Sequence, residues 1–143
     1  MKRVAALVGT LALITASSAS AHSLRIPGAT VRWNANATTC RTEGDGPVIG
    51  DQAWQSKTGH INLMRTYHLL QERSGTTWRT VDYLEYFVRG PRSILPYASP
   101  GEFTPVAASG REAYRIKDVF QWLYSGRLLA QRSLTLKACN LSS

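Results

Sequence analysis

Apolar and polar residues alternate with a period of two along most of this chain, a pattern that predicts strands rather than helices. Residues 29–34 put Val31 and Trp33 on one face. Residues 60–73 alternate with Ile61, Leu63, Tyr67 and Leu69 in phase. Ser74-Gly75-Thr76 reads as a turn, and residues 77–89 follow with Trp78, Val81, Tyr83, Tyr86, Phe87 and Val88. Two such runs around a short glycine-containing turn predict a hairpin. A second hairpin is predicted at Ser125-Gly126. Before it Tyr114, Ile116, Phe120 and Trp122 alternate in phase, and after it the pattern resumes through Leu134 and Leu136 as far as Cys139. Ile116, Val119, Phe120 and Leu123 also fit a helical spacing, so a short helix over 117–124 is the competing reading. The hairpin dipeptide, the β-branched and aromatic content and the missing capping box favour a strand.

Two stretches interrupt the alternation. Residues 41–58 are polar and broken by glycine, with room for one short strand at Pro47-Val48-Ile49. Residues 89–111 carry Pro91, Pro96, Pro100 and Pro105, which exclude a central strand and leave edge pieces such as 103–107. About six or seven strands at these intervals predict an all-β, antiparallel two-sheet sandwich in one domain. Its expected core holds Trp33, Tyr67, Leu69, Trp122 and Leu134.

The N-terminus changes the picture of where this domain works. Met1-Lys2-Arg3 precedes an apolar run over 4–15, and Ala19-Ser20-Ala21 has the small-x-small form of a signal peptidase site. As a helix that run rises only ~18 Å, short of a bilayer core. The reading is a signal peptide over 1–21, a mature domain over 22–143 with no membrane span after processing, and secretion to an extracellular or periplasmic space. In such a compartment the chain's only cysteines, Cys40 and Cys139, are expected to form one disulfide.

Composition excludes a disordered chain or a coiled coil: 43% of residues are hydrophobic and 18% charged. Without Lys2 and Arg3 the net charge falls from +8 to +6. That balance favours an anionic cell-surface polymer or a glycan as partner. The arginines are scattered singly, without the basic run that specific nucleic-acid binding requires.

Residues 66–71 (Thr-Tyr-His-Leu-Leu-Gln) and 78–81 (Trp-Arg-Thr-Val) form one hairpin, and 110–116 (Gly-Arg-Glu-Ala-Tyr-Arg-Ile) with 122–127 (Trp-Leu-Tyr-Ser-Gly-Arg) another. Together they resemble a small extracellular domain of the immunoglobulin or fibronectin-type-III kind. The pattern differs from antibody domains in carrying its second cysteine on the final strand. The resemblance implies binding or structural duty, without catalytic residues or a cofactor.

Candidate chemistry is sparse. No Gly-x-Ser-x-Gly elbow, phosphate-cradling loop or EF-hand spacing occurs. His60 and His68 read as isolated surface histidines. Trp54, Tyr97 and Phe103 fall in or beside the glycine- and proline-rich stretches, where they could stack on sugar rings or else fold inward. Asn36-Ala37-Thr38 and Asn140-Leu141-Ser142 match glycosylation acceptors. Cleavage after Ala21 would make His22 the N-terminal residue, a bidentate nitrogen chelate for Cu(II) to which His60 or His68, with Asp82, could add ligands. The expected function is therefore a secreted, non-enzymatic binding or structural module. A carbohydrate-binding module using the loop aromatics, or copper binding through His22, is the alternative.

Overall fold

A computed structural model of the protein describes residues 21–44, 46–90, 96–105 and 113–140. Ten strands cover most of these residues, and no helix occurs among them. They are β1 (His22–Ile26), β2 (Ala29–Ala35), β3 (Thr39–Glu43), β4 (Gly46–Gly59) and β5 (Leu63–Ser74), then β6 (Thr77–Arg89), β7 (Tyr97–Phe103), β8 (Ala113–Tyr124), β9 (Arg127–Thr135) and β10 (Cys139–Asn140).

The strands form two antiparallel five-stranded sheets packed face to face. In the first, β1 pairs with β2, β2 and β3 pair with successive parts of one edge of β4, and β7 lies along its other edge. In the second, β8 is flanked on one side by β9 and β10 and on the other by β5, beyond which lies β6. The Cys40–Cys139 disulfide joins β3 to β10, so it fastens the two sheets along one side, with Cα atoms 5.8 Å apart.

Both expected hairpins are present. Ser125 and Gly126 have φ of 48° and 77°, the double left-handed pair that a two-residue I′ loop demands. At the other turn Gly75 takes φ 62° as the first loop residue. Residues 117–124 are strand, not helix.

Three details depart from expectation. The stretch 41–58 is not mostly loop, because β4 alone runs fourteen residues. Its inward positions are Ile49, Asp51, Ala53, Gln55 and Lys57, so a central strand carries almost no apolar alternation. On β5 the inward set is Met64, Thr66, His68 and Leu70, whereas Tyr67 and Leu69 are only half-buried on the opposite parity. Tyr67 and Leu69 are thus not core residues. Trp33 and Trp122 are, and Leu134 packs against them from the rim. The proline-rich segment supplies an edge strand as expected, but over 97–103; residues 106 and 107 lie outside the described residues.

The core divides into two apolar clusters. One contains Val31, Trp33, Ala53, Met64, Phe120 and Trp122. The other contains Ile49, Leu70, Phe103, Tyr114 and Ile116. What separates them is polar.

Candidate functional site

Between the two clusters each central strand turns a polar or absent side chain inward. On β4 Asp51 follows Ile49 and precedes Ala53, and on β5 His68 lies between Leu70 and Thr66. On β8 Asp118 lies between Ile116 and Phe120, and on β7 Ser99 and Gly101 precede Phe103. Register brings them together. His68 is the cross-strand partner of Asp118 in one sheet, and Asp51 is the partner of Gly101 in the other.

The side chains of Asp51, His68 and Asp118 are fully shielded from solvent. His68 Nδ1 lies 3.0 Å from Asp51 Oδ1 and 2.8 Å from Asp118 Oδ1. A single Nδ1 proton can serve one of these. The aligned hydrogen bond goes to Asp51, and Asp118 sits closer but off the N–H direction. Both oxygens of Asp118, and Oδ2 of Asp51, therefore accept no hydrogen bond. On the far side of the ring His68 Nε2 is 3.0 Å from Ser99 Oγ, and Tyr86 packs edge-on at 5.7 Å. Gly101 makes the approach possible: a Cβ there would overlap Asp51 Oδ1 and lie 2.8 Å from His68 Nδ1.

Two carboxylates facing one imidazole set the protonation state. Burial alone would lower the His68 pKa, but the close contacts and negative charges of Asp118 and Asp51 outweigh it and raise it to about 9. Burial raises Asp118 to about 7, with Asp51 repelling its charge and His68 opposing the rise. Near neutrality the cluster holds a cationic imidazolium beside two carboxyl groups that compete for it.

The order serine, histidine, aspartate invites comparison with a nucleophile, base and orienting acid. Ser99, however, is an interior strand residue, 1% exposed, and a substrate carbonyl has no path to its Oγ while β7 is in place. What the arrangement can do as it stands is hold a proton or a cation between the sheets.

The residues singled out from sequence fall elsewhere, except His68. That residue is wholly buried, not a surface histidine, because it shares the inward parity of Met64 and Leu70. His22 is exposed and stacks on Trp33, and His60 donates to the Gly28 carbonyl beside Tyr124. The three histidines do not converge, since both ring nitrogens of His68 are engaged in the interior. Trp54 and Phe103 are 6% and 3% exposed strand residues and Tyr97 is half-buried, so these three make no open platform. Phe103 and Tyr97 took the inward alternative, and Trp54, of the outward parity on β4, is covered without joining either core cluster. Of the glycosylation triplets, Asn36 is exposed, and residues 141 and 142 lie outside the described residues.

A different set of aromatics is exposed. On β6 Tyr83 and Phe87 are 61% and 55% exposed, and Val81, 41% exposed, sits where the β5–β6 register shifts. Across from them on β5 stand Leu69 and Arg65. Arginines lie over the rings of this face: Arg89 over Phe87, Arg65 over Tyr67, and Arg115 over Trp78 at 4.3 Å.

No family model and no curated protein matches the chain. Among solved structures it is similar to a crystal structure of a Bifidobacterium adolescentis GH3 beta-glucosidase, at a TM-score of 0.35 and 10% identity over 76% of this chain. It spans 17% of that chain's length, and likeness at this level carries no statement about activity. The class that fold and site define is an all-β, two-sheet, disulfide-fastened domain with a charged layer across its core.

Proposed function

We propose that the protein is an exported, non-enzymatic β-sandwich module of the immunoglobulin-like kind that binds an acidic polysaccharide at the cell surface. Export rests on the leader over 1–21 and is compatible with the disulfide. The immunoglobulin-like reading is supported by strand order. β2-β4-β7 facing β9-β8-β5-β6 follows the A-B-E and G-F-C-C′ arrangement of such domains.

The observation that carries the binding reading is the exposed row Tyr83 and Phe87 on β6. Four residues apart on one strand, these rings are ~13 Å from each other at ~3.3 Å per residue. A sugar polymer laid along β6 would stack its C–H faces on them. Arg89 and Arg115 stand beside aromatic rings of the same face, where their planar forks match carboxylates, and Arg65 there already pairs with Glu85 at 3.1 Å. This site replaces the one expected at Trp54, Tyr97 and Phe103.

The test is retention of the mature protein in gels containing polygalacturonate, compared with a neutral glucan. Retention by polygalacturonate that weakens with salt and falls at least tenfold in Tyr83→Ala/Phe87→Ala, with an unchanged melting temperature, is the expected result. A parent protein that migrates freely in both gels overturns the reading.

A further inference from the structure

We propose that Asp51, His68 and Asp118 form a site for a divalent first-row transition metal that ties the two sheets together from inside. The inference is independent of the polysaccharide reading, since it concerns the interior and not the β6 face.

The donor set comes first. One imidazole nitrogen and two carboxylates are the nitrogen and oxygen ligands that zinc and its neighbours take. All three residues offer a ligand atom within 4.8 Å of the others. The contacts of 2.8 and 3.0 Å from Nδ1 match the separation of adjacent ligands, about 2.8–3.3 Å, around an ion bound at ~2.0 Å.

Unmet bonding capacity points the same way. Oδ2 of Asp51 and both oxygens of Asp118, whose side chain is 0% exposed, accept no hydrogen bond, although Asp118 Oδ1 keeps an ion-pair contact with His68 Nδ1 at 2.8 Å. Buried polar atoms are normally satisfied, and a native interior that leaves three together calls for an occupant. His68 Nδ1 and one oxygen from each aspartate supply three protein donors, the number that leaves a fourth tetrahedral position for a water.

The surroundings also fit. A metal-binding histidine holds its other ring N–H in a hydrogen bond that fixes the tautomer. Ser99 Oγ stands at that position, 3.0 Å from Nε2, and would accept the Nε2 proton while Nδ1 turns its lone pair to the ion. Gly101 leaves free the volume that the ligand atoms occupy. An outer-face depression of about 170 Å³, lined by Thr39, Gly50, Asp51, Gly101 and Glu102, brings solvent to the Asp51–Gly101 pair from the other side of the sheet.

Ligands come from both sheets, so the ion's binding energy would add to the stability of the sandwich rather than to that of one hairpin. Binding would displace the proton held at Nδ1, and acid would compete with it.

The experiment uses the mature, disulfide-intact protein, stripped with EDTA and incubated with Zn²⁺, and in a parallel arm with Mn²⁺. Expected are one Zn²⁺ per chain by elemental analysis after dialysis and a raised melting temperature that EDTA reverses. Asp118→Asn should abolish both. Ser99→Ala, which keeps all the ligands and removes only the orienting hydroxyl, should fold and bind about 10–100-fold more weakly. His22→Ala, which removes the N-terminal chelate, should leave stoichiometry and affinity unchanged. Stoichiometry below a tenth with no thermal shift in both metal arms overturns the proposal. So does binding that survives Ser99→Ala at full strength, or that disappears with His22→Ala.

Discussion

Asp118 is the residue on which the interior turns, and the sequence analysis did not single it out although a signal for it was present. It falls in phase with Tyr114, Ile116, Phe120 and Trp122, and a carboxylate in register with a buried apolar row marks an internal site. Its partners were not visible. Asp51 sits in a strand whose inward row is mostly polar, and no spacing along a chain links positions 51, 68 and 118. Protonation makes a prediction at this scale. In the metal-free protein the His68 pKa is raised from 6.5 to about 9, so the stability it confers is present below pH 6.5 and lost as pH climbs through 9. Asp118 is also raised, from 3.8 to about 7, so the folded state again holds the extra proton and loses stability as pH rises through 7. Both contributions have the same sign, because the native state binds more protons than the unfolded chain across this window. Melting temperature in EDTA should therefore fall from about pH 5 to pH 9, the reverse of ordinary acid denaturation, and Asp118→Asn should flatten the slope. A melting temperature that rises over that interval contradicts the assignment.

Strands were legible where one face is apolar and illegible where it is not. Residues 77–89 and 113–124 announced β6 and β8 through aromatic and β-branched content, and Ser125-Gly126 announced the loop that follows β8. For β5 the period was right and the phase wrong. Leu63, Tyr67 and Leu69 looked like the core row, yet a buried histidine and threonine lie on the row that faces inward, and the aromatic row faces solvent beside β6. A sheet that carries apolar residues on both faces, as this one does at Tyr83 and Phe87, lacks the contrast that phase assignment needs. The edge strand β7 offers a direct check on the interior. Gly101→Ala should lower the chemical denaturation midpoint by an amount worth about 1–3 kcal/mol, the usual cost of overpacking a filled interior. An Ala variant as stable as the parent would mean that Asp51 and His68 are not packed against this glycine.

Taken whole, the molecule is two sheets fastened at one side by Cys40–Cys139, the pairing expected from two cysteines in an exported chain. The bridge closes a loop with a sequence separation of 99, for which chain-entropy reasoning gives a nominal ~4.7 kcal/mol. Exported protein should therefore have an intact mass beginning at His22 and two hydrogens below the reduced value. Reduction should bring a large drop in melting temperature. A mass that includes Met1 to Ala21, or free thiols that alkylate without reduction, would count against export and pairing respectively. The charged layer has a consequence for assembly as well. Sliding β8 past β5 by two residues keeps every side chain on its own face, so an uninterrupted apolar stripe would scarcely resist it. Here such a slip would set Asp118 opposite Thr66 or Leu70 in place of His68. A buried charge deprived of its partner costs ~3–5 kcal/mol. The aspartates and the histidine thus work as a vernier for the two halves of the sandwich: of the alignments that bury the same oil, they let only one close.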